Sequence, residues 1–198
     1  MSTSKKRQSK KGTRAALLEA ARAELLEGNG DLEVAKVAKR AGVSDGLTYY
    51  HFGNKTGLLH AIVMDFYAKM DDQVTAVFFA GDTWAERERT RVFAMVELYY
   101  QDPIALLVTE RLSTDPAFSD QEALRAKRIS HLGAMNIAHA QRKGEIDSSL
   151  EPLLLVSMIL AGVTAGVKAA LNADPVVPLA QAQREVWSFV SRSAGVNE

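Results

Sequence analysis

The sequence predicts an all-α protein with two domains, and three observations support this fold class. Ala, Leu, Glu, Arg and Lys dominate the 198 residues, and no stretch alternates apolar and polar residues as a strand does. Apolar residues instead recur at helical spacing. Short segments with Gly, Asn, Asp or Pro separate these stretches. We expect a small domain over residues 1–53 and a larger one over residues 54–198.

Glycines and capping residues delimit three helices in the N-terminal domain. The first is expected from about Thr13 to Glu27, because Gly28-Asn29-Gly30 tolerates left-handed geometry at its exit. The second is expected over residues 34–40. Gly42 then allows a tight turn, and Ser44 can cap a third helix that ends near Phe52.

The larger domain is expected to contain six helices. The first should be long, since apolar residues keep helical spacing from Asn54 to about Phe79. Caps and prolines place the others at residues 83–101, in a short helix opened by Asp102 and Pro103, and at residues 116–143, 152–172 and 178–193. The uncharged run of residues 153–167 is too short to span a membrane, so we expect a soluble protein with no membrane partner.

Composition and charge exclude several classes of protein. The chain has no cysteine, which rules out disulfides and thiolate catalysis. Its basic start lacks the apolar core of a secretory signal, so we expect a cytoplasmic protein. Residues 1–60 hold eleven Lys and Arg against six Asp and Glu, whereas residues 61–198 hold thirteen against eighteen. This asymmetry indicates either a polyanion-binding N-terminal end or a solvated basic tail.

Residues 34–52 can form a helix-turn-helix. A short bracing helix and a tight turn would place the second helix in the major groove of DNA, with Lys55 just after it to contact phosphate. The upstream basic run from Lys5 to Lys11 either enters the minor groove or only solubilises the terminus. The candidate DNA-binding residues lie on or beside the second helix: Ser44, Asp45, Gly46, Leu47, Tyr49, Tyr50, His51 and Lys55.

The same segment contains a longer spaced pattern of residues: Val37-Ala38-x-x-Ala41-Gly42-Val43-Ser44-x-Gly46-x-x-Tyr49-x-x-Phe52-x-x-Lys55-x-x-Leu58. This pattern resembles the signature of the TetR family of transcriptional regulators. The resemblance covers roughly the first third of the chain, and the remainder is similar only in helix count.

The resemblance implies roles for individual residues. Tyr49 and Lys55 would hold phosphates, and Asp45, Gly46 and Leu47 would approach the bases. The small core of the domain would then contain four apolar residues: Val37, Ala38, Val43 and Phe52.

Two positions depart from the family pattern. Glu33 occupies a position where the family has a Thr or Ser cap, so Asp31 is the alternative cap of the second helix. Leu47 precedes Thr48, whereas the family usually has a polar residue followed by an apolar one. Two placements therefore stay open: Leu47 contacts a thymine methyl, or the helix rotates to bury it.

Catalysis and metal binding are not expected. The chain has no G-x-S-x-G, H-E-x-x-H, P-loop or G-x-G-x-x-G motif. His131 and His139 are eight residues apart on one predicted helix, too far for one-turn chelation. We therefore predict no enzyme, no metal and no cofactor.

The larger domain is expected to bind a small molecule and to form a homodimer. Aromatic and Met-rich segments can line an apolar cavity, although a filled core is the alternative for each residue. The candidate pocket residues are Phe93, Met95, Tyr99, Tyr100, His131 and Met135. The last two helices should pair with their two-fold mates. Their candidate interface residues are Leu155, Ile159, Gly162, Val163, Gly166, Trp187 and Val190.

Together, these expectations predict a transcriptional regulator. The simplest form is a repressor that a small apolar or amphipathic ligand releases from a palindromic operator. Two alternatives remain at this stage. One is an architectural DNA-binding protein without an effector, and the other is a helical enzyme with a basic tail.

Overall fold

The computed structural model describes residues 2–75, 78–113 and 115–196, with side chains from residue 12 onward. Within these ranges the chain forms helices and loops without a β-strand, which confirms the all-α class. The α-helices there are α1 (Ser2–Glu27), α2 (Val34–Arg40), α3 (Asp45–Phe52), α4 (Lys55–Met70), α5 (Trp84–Gln101), α6 (Ala105–Leu107), α7 (Ser119–Arg142), α8 (Pro152–Asn172) and α9 (Leu179–Ser193).

Helices α2, α3 and α8 have the expected limits. Helices α5, α7 and α9 differ by at most three residues at an end, whereas α1 and α4 differ more. Helix α1 begins at Ser2 rather than near Thr13, because the Lys, Arg and Gln residues of the basic run favour helix. The side chains of that run lie outside the described ones. Helix α4 ends at Met70 and passes into a π-helical turn, Asp71–Thr75, so the expected continuation to Phe79 is not observed.

Arg91 gives a physical reason for this early end of α4. Its guanidinium donates hydrogen bonds to the main-chain carbonyl oxygens of Val74 and Thr75. These oxygens therefore do not need the N–H groups of a further helical turn as hydrogen-bond donors. Phe78 and Phe79 are non-helical, and Val77, expected on this helix, lies outside the described residues.

The chain divides into two compact units. The first contains the residues up to Ala68 together with Pro103–Ser119, and the second contains Lys69–Asp102 together with the residues from Asp120 onward. This division differs from the boundary expected at residue 53. Most of α4 belongs with the N-terminal helices, and so does a segment from much further along the chain.

Inside the first unit, α1 packs against α2 and α2 against α3. Leu17, Leu25 and Val37 are fully buried there. Such burial stabilises the unit by about 1.5–3 kcal/mol for each large apolar side chain. These three helices are too short or too polar to be stable alone, so tertiary packing holds them.

Inside the second unit, α5, α8 and α9 pack against one another. The start of α5 is well fixed: Thr83 and Glu86 form a capping box, and the main-chain N–H of Trp84 donates a 2.7 Å hydrogen bond to Glu145. The buried rings of Trp84 and Trp187 lie 6.5 Å apart. This packing anchors α9 beside the N-terminal end of α5.

By length and composition alone α8 could cross a membrane, since its most apolar window has a mean hydropathy of 2.0. A core helix of a soluble protein meets the same criterion, and one third of that window is buried here. Gly162 and Gly166 bring α9 close: a Cβ on Gly162 would lie 2.4 Å from the Phe189 ring, and one on Gly166 would lie 3.5 Å from Val186.

The buried face of α8 changes the interpretation of the expected dimer interface. Gly162 and Gly166 accommodate α9 of the same chain. The other five expected interface residues are each at most 9% exposed and pack within the single chain, so they stabilise the protomer itself: Leu155, Ile159, Val163, Trp187 and Val190.

Candidate nucleic-acid interface

The turn between α2 and α3 is built by backbone hydrogen bonds. The N–H of Val43 donates to the carbonyl oxygen of Ala38 at 3.0 Å, and the N–H of Ala41 donates to that of Val37 at 2.9 Å. Gly42 has φ +68°, a conformation that glycine adopts without strain. The result is a helix-turn-helix whose two helices pack against each other.

Burial orients α3. Thr48 is 2% exposed and faces the interior, whereas Leu47 is half-buried. Tyr49 and Tyr50 are 49% and 64% exposed. The remaining DNA-binding candidates are exposed or, for His51, half-buried, so all eight reach the surface of one short segment: Ser44, Asp45, Gly46, Leu47, Tyr49, Tyr50, His51 and Lys55.

A close backbone contact fixes where α4 starts relative to α3. The N–H of Gly57 donates to the side-chain oxygen of Asn54 at 2.8 Å. A Cβ on Gly57 would lie 2.0 Å from the carbonyl oxygen of Phe52, so no larger residue fits without a backbone shift. The contact places the exposed Lys55 directly after α3. Gly57 is not among the expected functional residues, although a glycine in the first turn of a helix is a sequence signal for a close contact.

The cations of α2 contact α1 as well as solvent. Glu24 of α1 is 8% exposed, and it lies 3.9 Å from the ammonium of Lys36 and 3.6 Å from the guanidinium of Arg40. Hydrogen bonds to Glu33 and Glu27 raise the pKa of Lys36 and of Arg40, respectively. Part of the positive charge of the first unit therefore orients α2, while Lys39 and Lys55 remain exposed.

The N-terminal end of α2 differs from the expectation. Glu33 is the N-cap residue, but its side chain accepts no capping hydrogen bond and pairs with Lys36 instead. Asp31 does not replace it, because its carboxylate accepts a 3.3 Å hydrogen bond from Arg111. The first turn of α2 thus lacks the side-chain cap that the family pattern would supply.

Arg111 contacts the loop that leads into α2. It lies on the π-helical turn Val108–Leu112 and donates from Nη1 to the carbonyl oxygen of Asn29 at 2.5 Å. Gly30 has φ +92°, and a Cβ on it would lie 2.4 Å from Arg111 Nη1. This contact could not be predicted from the sequence, because about eighty residues separate its partners and no local pattern marks it.

The candidate pocket residues fall into two groups. Phe93, Met95, Tyr99 and Tyr100 of α5 are buried or half-buried. The hydroxyl of Tyr100 donates to the carbonyl oxygen of Val177 at 2.7 Å, and burial raises its pKa.

The two candidates on α7 are on the surface. His131 and Met135 are exposed, Met135 by 59%, so the single chain does not enclose them in a cavity. The reason is that α7 buries only Ile137 and Ala140 among its 24 residues. Charged residues of α5 are less exposed than these two: Glu88 and Arg91 are half-buried, and Glu88 accepts a 2.9 Å hydrogen bond from Asn136.

Among the described residues, no group of three His, Asp or Glu side chains is placed to hold a metal ion. The geometry defines a class of protein: an all-helical chain with an N-terminal helix-turn-helix whose second helix presents its outer side chains to solvent. This is the architecture of helix-turn-helix DNA-binding regulators.

Comparison with known proteins narrows the class. Residues 17–62 match the sequence profile described as bacterial regulatory proteins, tetR family. A solved protein from Rhodococcus sp. assigned to the TetR family is 25% identical, with 92% of this chain and 98% of that chain covered and a TM-score of 0.67. No curated protein matches the chain.

Two further solved structures share the fold. FadR of Bacillus halodurans, a fatty acid degradation regulator, has a TM-score of 0.77 at 20% identity, with 93% and 100% of the two chains covered. NalD of Pseudomonas aeruginosa, the secondary repressor of the MexAB-OprM multidrug efflux pump, has a TM-score of 0.72 at 16% identity, with 95% and 100% covered. The chain thus carries the tetR-family DNA-binding domain within the fold of TetR-family transcriptional regulators, which confirms the resemblance.

Proposed function

We propose that this protein is a cytoplasmic transcriptional repressor that binds a palindromic operator as a homodimer and is released by a small apolar or amphipathic molecule. The observation that carries DNA binding is the exposed surface of α3 and the start of α4, supported from behind by the fully buried Val37 and Ala38 and by Thr48. No chemical step is required of the protein in this function.

The proposed dimer uses the side of α8 that the protomer leaves exposed. Its apolar stripe follows helical spacing and consists of Leu154, Met158, Ala161, Ala165 and Ala169. Phe189 of α9 is also 43% exposed. Contiguous exposed apolar residues of this kind are typical of an obligate interface. A two-fold axis beside α8 would pair the stripe with itself.

Ligand response is proposed for the second unit. Half-buried aromatic and sulfur-containing side chains of α5, including Phe93 and Met95, offer apolar contacts. FadR of Bacillus subtilis, which shares the fold at 20% identity and a TM-score of 0.74, was solved in complex with stearoyl-CoA. Long-chain acyl compounds are therefore the first ligands to test.

Coupling between ligand and DNA would use the continuity of the chain. The polypeptide passes from one unit to the other after Ala68, Asp102 and Ser119. A ligand that changes the spacing of α5 and α7 would displace the intervening segment Pro103–Ser119, which contacts the loop before α2 through Arg111. Displacement of that loop would alter the spacing of the two recognition helices in the dimer, which must match half-sites about 34 Å apart.

The first test of this function is selection of an operator. Purified protein is incubated with random DNA duplexes at physiological salt, and the bound fraction is sequenced. We expect one enriched palindrome, bound at least about a thousand-fold more tightly than random DNA. Enrichment of no sequence, with binding that depends only on salt, would favour an architectural protein instead.

The second test measures coupling by calorimetry with a compound that releases the operator, titrated into free and operator-bound protein. Linkage requires that operator weaken the ligand by the factor by which ligand weakens operator, typically about 5- to 150-fold. Equal ligand affinity in the two titrations would refute ligand-controlled release.

A further inference from the structure

The recognition helix has an unusual set of side chains for reading bases. Helix α3 reads Asp-Gly-Leu-Thr-Tyr-Tyr-His-Phe and contains no Arg, Lys, Asn or Gln. Arg and Lys are the usual readers of guanine, and Asn and Gln those of adenine, through paired hydrogen bonds in the major groove. Sequence discrimination by α3 must therefore use other contacts.

Burial shows which α3 side chains are available. Thr48 is 2% exposed, so its side chain is directed inward. Successive residues of a helix are about 100° apart, and Leu47 therefore lies on a different face. Residues three positions apart share a face, and Tyr50, three positions after Leu47, is 64% exposed. Gly46, on the side of the helix away from Thr48, is exposed as well. The half-buried Leu47 thus borders the outward side of the helix, near its N-terminal end.

The chemistry of Leu47 limits what it can recognise. An isobutyl group offers no hydrogen bond, and it gains free energy only by leaving water for an apolar surface. On the base edges in the major groove, the C5-methyl group of thymine is the apolar feature. Guanine, adenine and cytosine present hydrogen-bonding groups there, which Leu47 would desolvate without compensation.

We propose that Leu47 is a specificity-determining residue that reads the C5-methyl group of a thymine in each half-site. The proposal rests on the proposed function and deepens it, because it assigns one base preference to one side chain. The sequence left two placements of Leu47 open: contact with a thymine methyl group, or burial by a rotation of the helix. The burial of Thr48 favours the first of these.

The test replaces each thymine of the selected operator, one symmetric pair at a time, with deoxyuracil. Uracil keeps every hydrogen-bonding group of thymine and lacks only the methyl group. With wild-type protein we expect one pair of positions to lose about four-fold in affinity per thymine, since one buried methyl group contributes about 0.8 kcal/mol and 1.36 kcal/mol is a factor of ten. The other positions should change less.

The matched variant is Leu47→Ala, which should bind the thymine and uracil operators equally at that position. Thr48→Val is the control: it alters the adjacent, buried residue and should keep the four-fold ratio. Folding of each variant is checked by circular dichroism. The affinities of wild type and Leu47→Ala for the thymine and uracil operators form a thermodynamic cycle. This cycle isolates the contact between the Leu47 side chain and the methyl group.

Two results would overturn the proposal. One is a wild-type protein indifferent to uracil at every thymine, a measurement that needs no variant. The other is a thymine preference that survives unchanged in Leu47→Ala. Failure of the proposed function looks different, because the initial selection would then enrich no operator, and the assignment of Leu47 would be rejected together with it.

Discussion

Arg111 donates a 2.5 Å hydrogen bond to the main-chain carbonyl oxygen of Asn29, at the turn between α1 and α2. Asn29 has φ 48°, and the next residue, Gly30, has φ +92°, so the turn is left-handed at two successive positions. The guanidinium also meets Asp31 at 3.3 Å. A residue from the segment 103–119 therefore holds the loop that positions the first helix of the helix-turn-helix.

The first prediction concerns Gly30. We expect Gly30→Ala to lower the free energy of unfolding by about 2 kcal/mol, because a Cβ is strained at this φ and would collide with Arg111 and with Leu107. In a protein that already carries Arg111→Ala, Gly30→Ala should lower the free energy of unfolding by only about 1 kcal/mol, because the collision with Arg111 is absent. Urea unfolding measures both. Gly12→Ala is the control, because nothing lies within 4 Å of its Cβ position and it should not destabilise. If Gly30→Ala lowered the free energy of unfolding equally with and without Arg111→Ala, the contact between Gly30 and Arg111 would be contradicted.

The second prediction concerns Thr48, whose buried hydroxyl has no hydrogen-bond partner among the described residues. Thr48→Val keeps the shape and removes the unsatisfied group, so we expect a gain of about 1 kcal/mol in the free energy of unfolding. Thr56→Val, at an exposed position of α4, should change it by less than about 0.5 kcal/mol. A loss of stability in Thr48→Val would mean that the hydroxyl is hydrogen-bonded in solution.

The third prediction concerns Lys55. A phosphate contact carries no sequence information, so Lys55→Ala should weaken binding to operator and random DNA by a similar factor. The slope of log K against log salt should decrease in magnitude by about 0.9, the value for one lost phosphate contact. Lys127→Ala removes the same charge from an exposed site on α7 and should leave both unchanged. Wild-type affinity and slope in Lys55→Ala would remove Lys55 from the interface.

The fourth prediction concerns the dimer. Met158 is 46% exposed in the middle of the apolar stripe of α8. Met158→Glu would bury two carboxylates at a two-fold interface, so we expect sedimentation to show monomers at micromolar concentration. Leu124→Glu, on the 70% exposed Leu124 of α7, should remain dimeric. If Met158→Glu remained dimeric, the exposed apolar stripe of α8 would be excluded as the dimer interface. Gly162→Leu is a poorer test, because its side chain would collide with Phe189 of its own chain.

The fifth prediction concerns acid stability. Backbone N–H groups of Thr83 and Asp82 hold the pKa of Glu86 below its ordinary value near 4.5. The hydrogen bonds to the ionised Glu86 stabilise the folded protein, and this stabilisation is complete above pH 4.5. It is lost as the pH falls through the lower pKa that Glu86 has in the folded state. Glu86→Gln should therefore be less stable than wild type at pH 7, with a difference that narrows below pH 4.5. Urea unfolding across pH checks this, with Glu19→Gln on the exposed face of α1 as the control. A difference that is constant with pH would contradict the assignment.

Local sequence determined the helices and the signature of the DNA-binding domain. The limits of α2, α3 and α8 were found from glycines, prolines and polar residues within a few positions of each helix end. Neither Glu33 nor Ser44 makes a side-chain capping hydrogen bond, so only the position of the helix start was predicted for α2 and α3. The fold class followed from helical periodicity. The candidate DNA-binding residues could be named because they all lie within residues 44–55, on α3 or directly beside it.

Tertiary structure alone decided what depends on distant partners. Helical periodicity could not indicate that α7 would leave His131 and Met135 on the surface, because an apolar residue is buried only where another element covers it. Similarly, Leu155 and Trp187 became core residues of one chain, since the glycines of α8 admit α9 itself. The burial of Thr48 beside a half-buried Leu47, and the contact of Arg111 with Asn29, arise from packing between segments that no local pattern encodes.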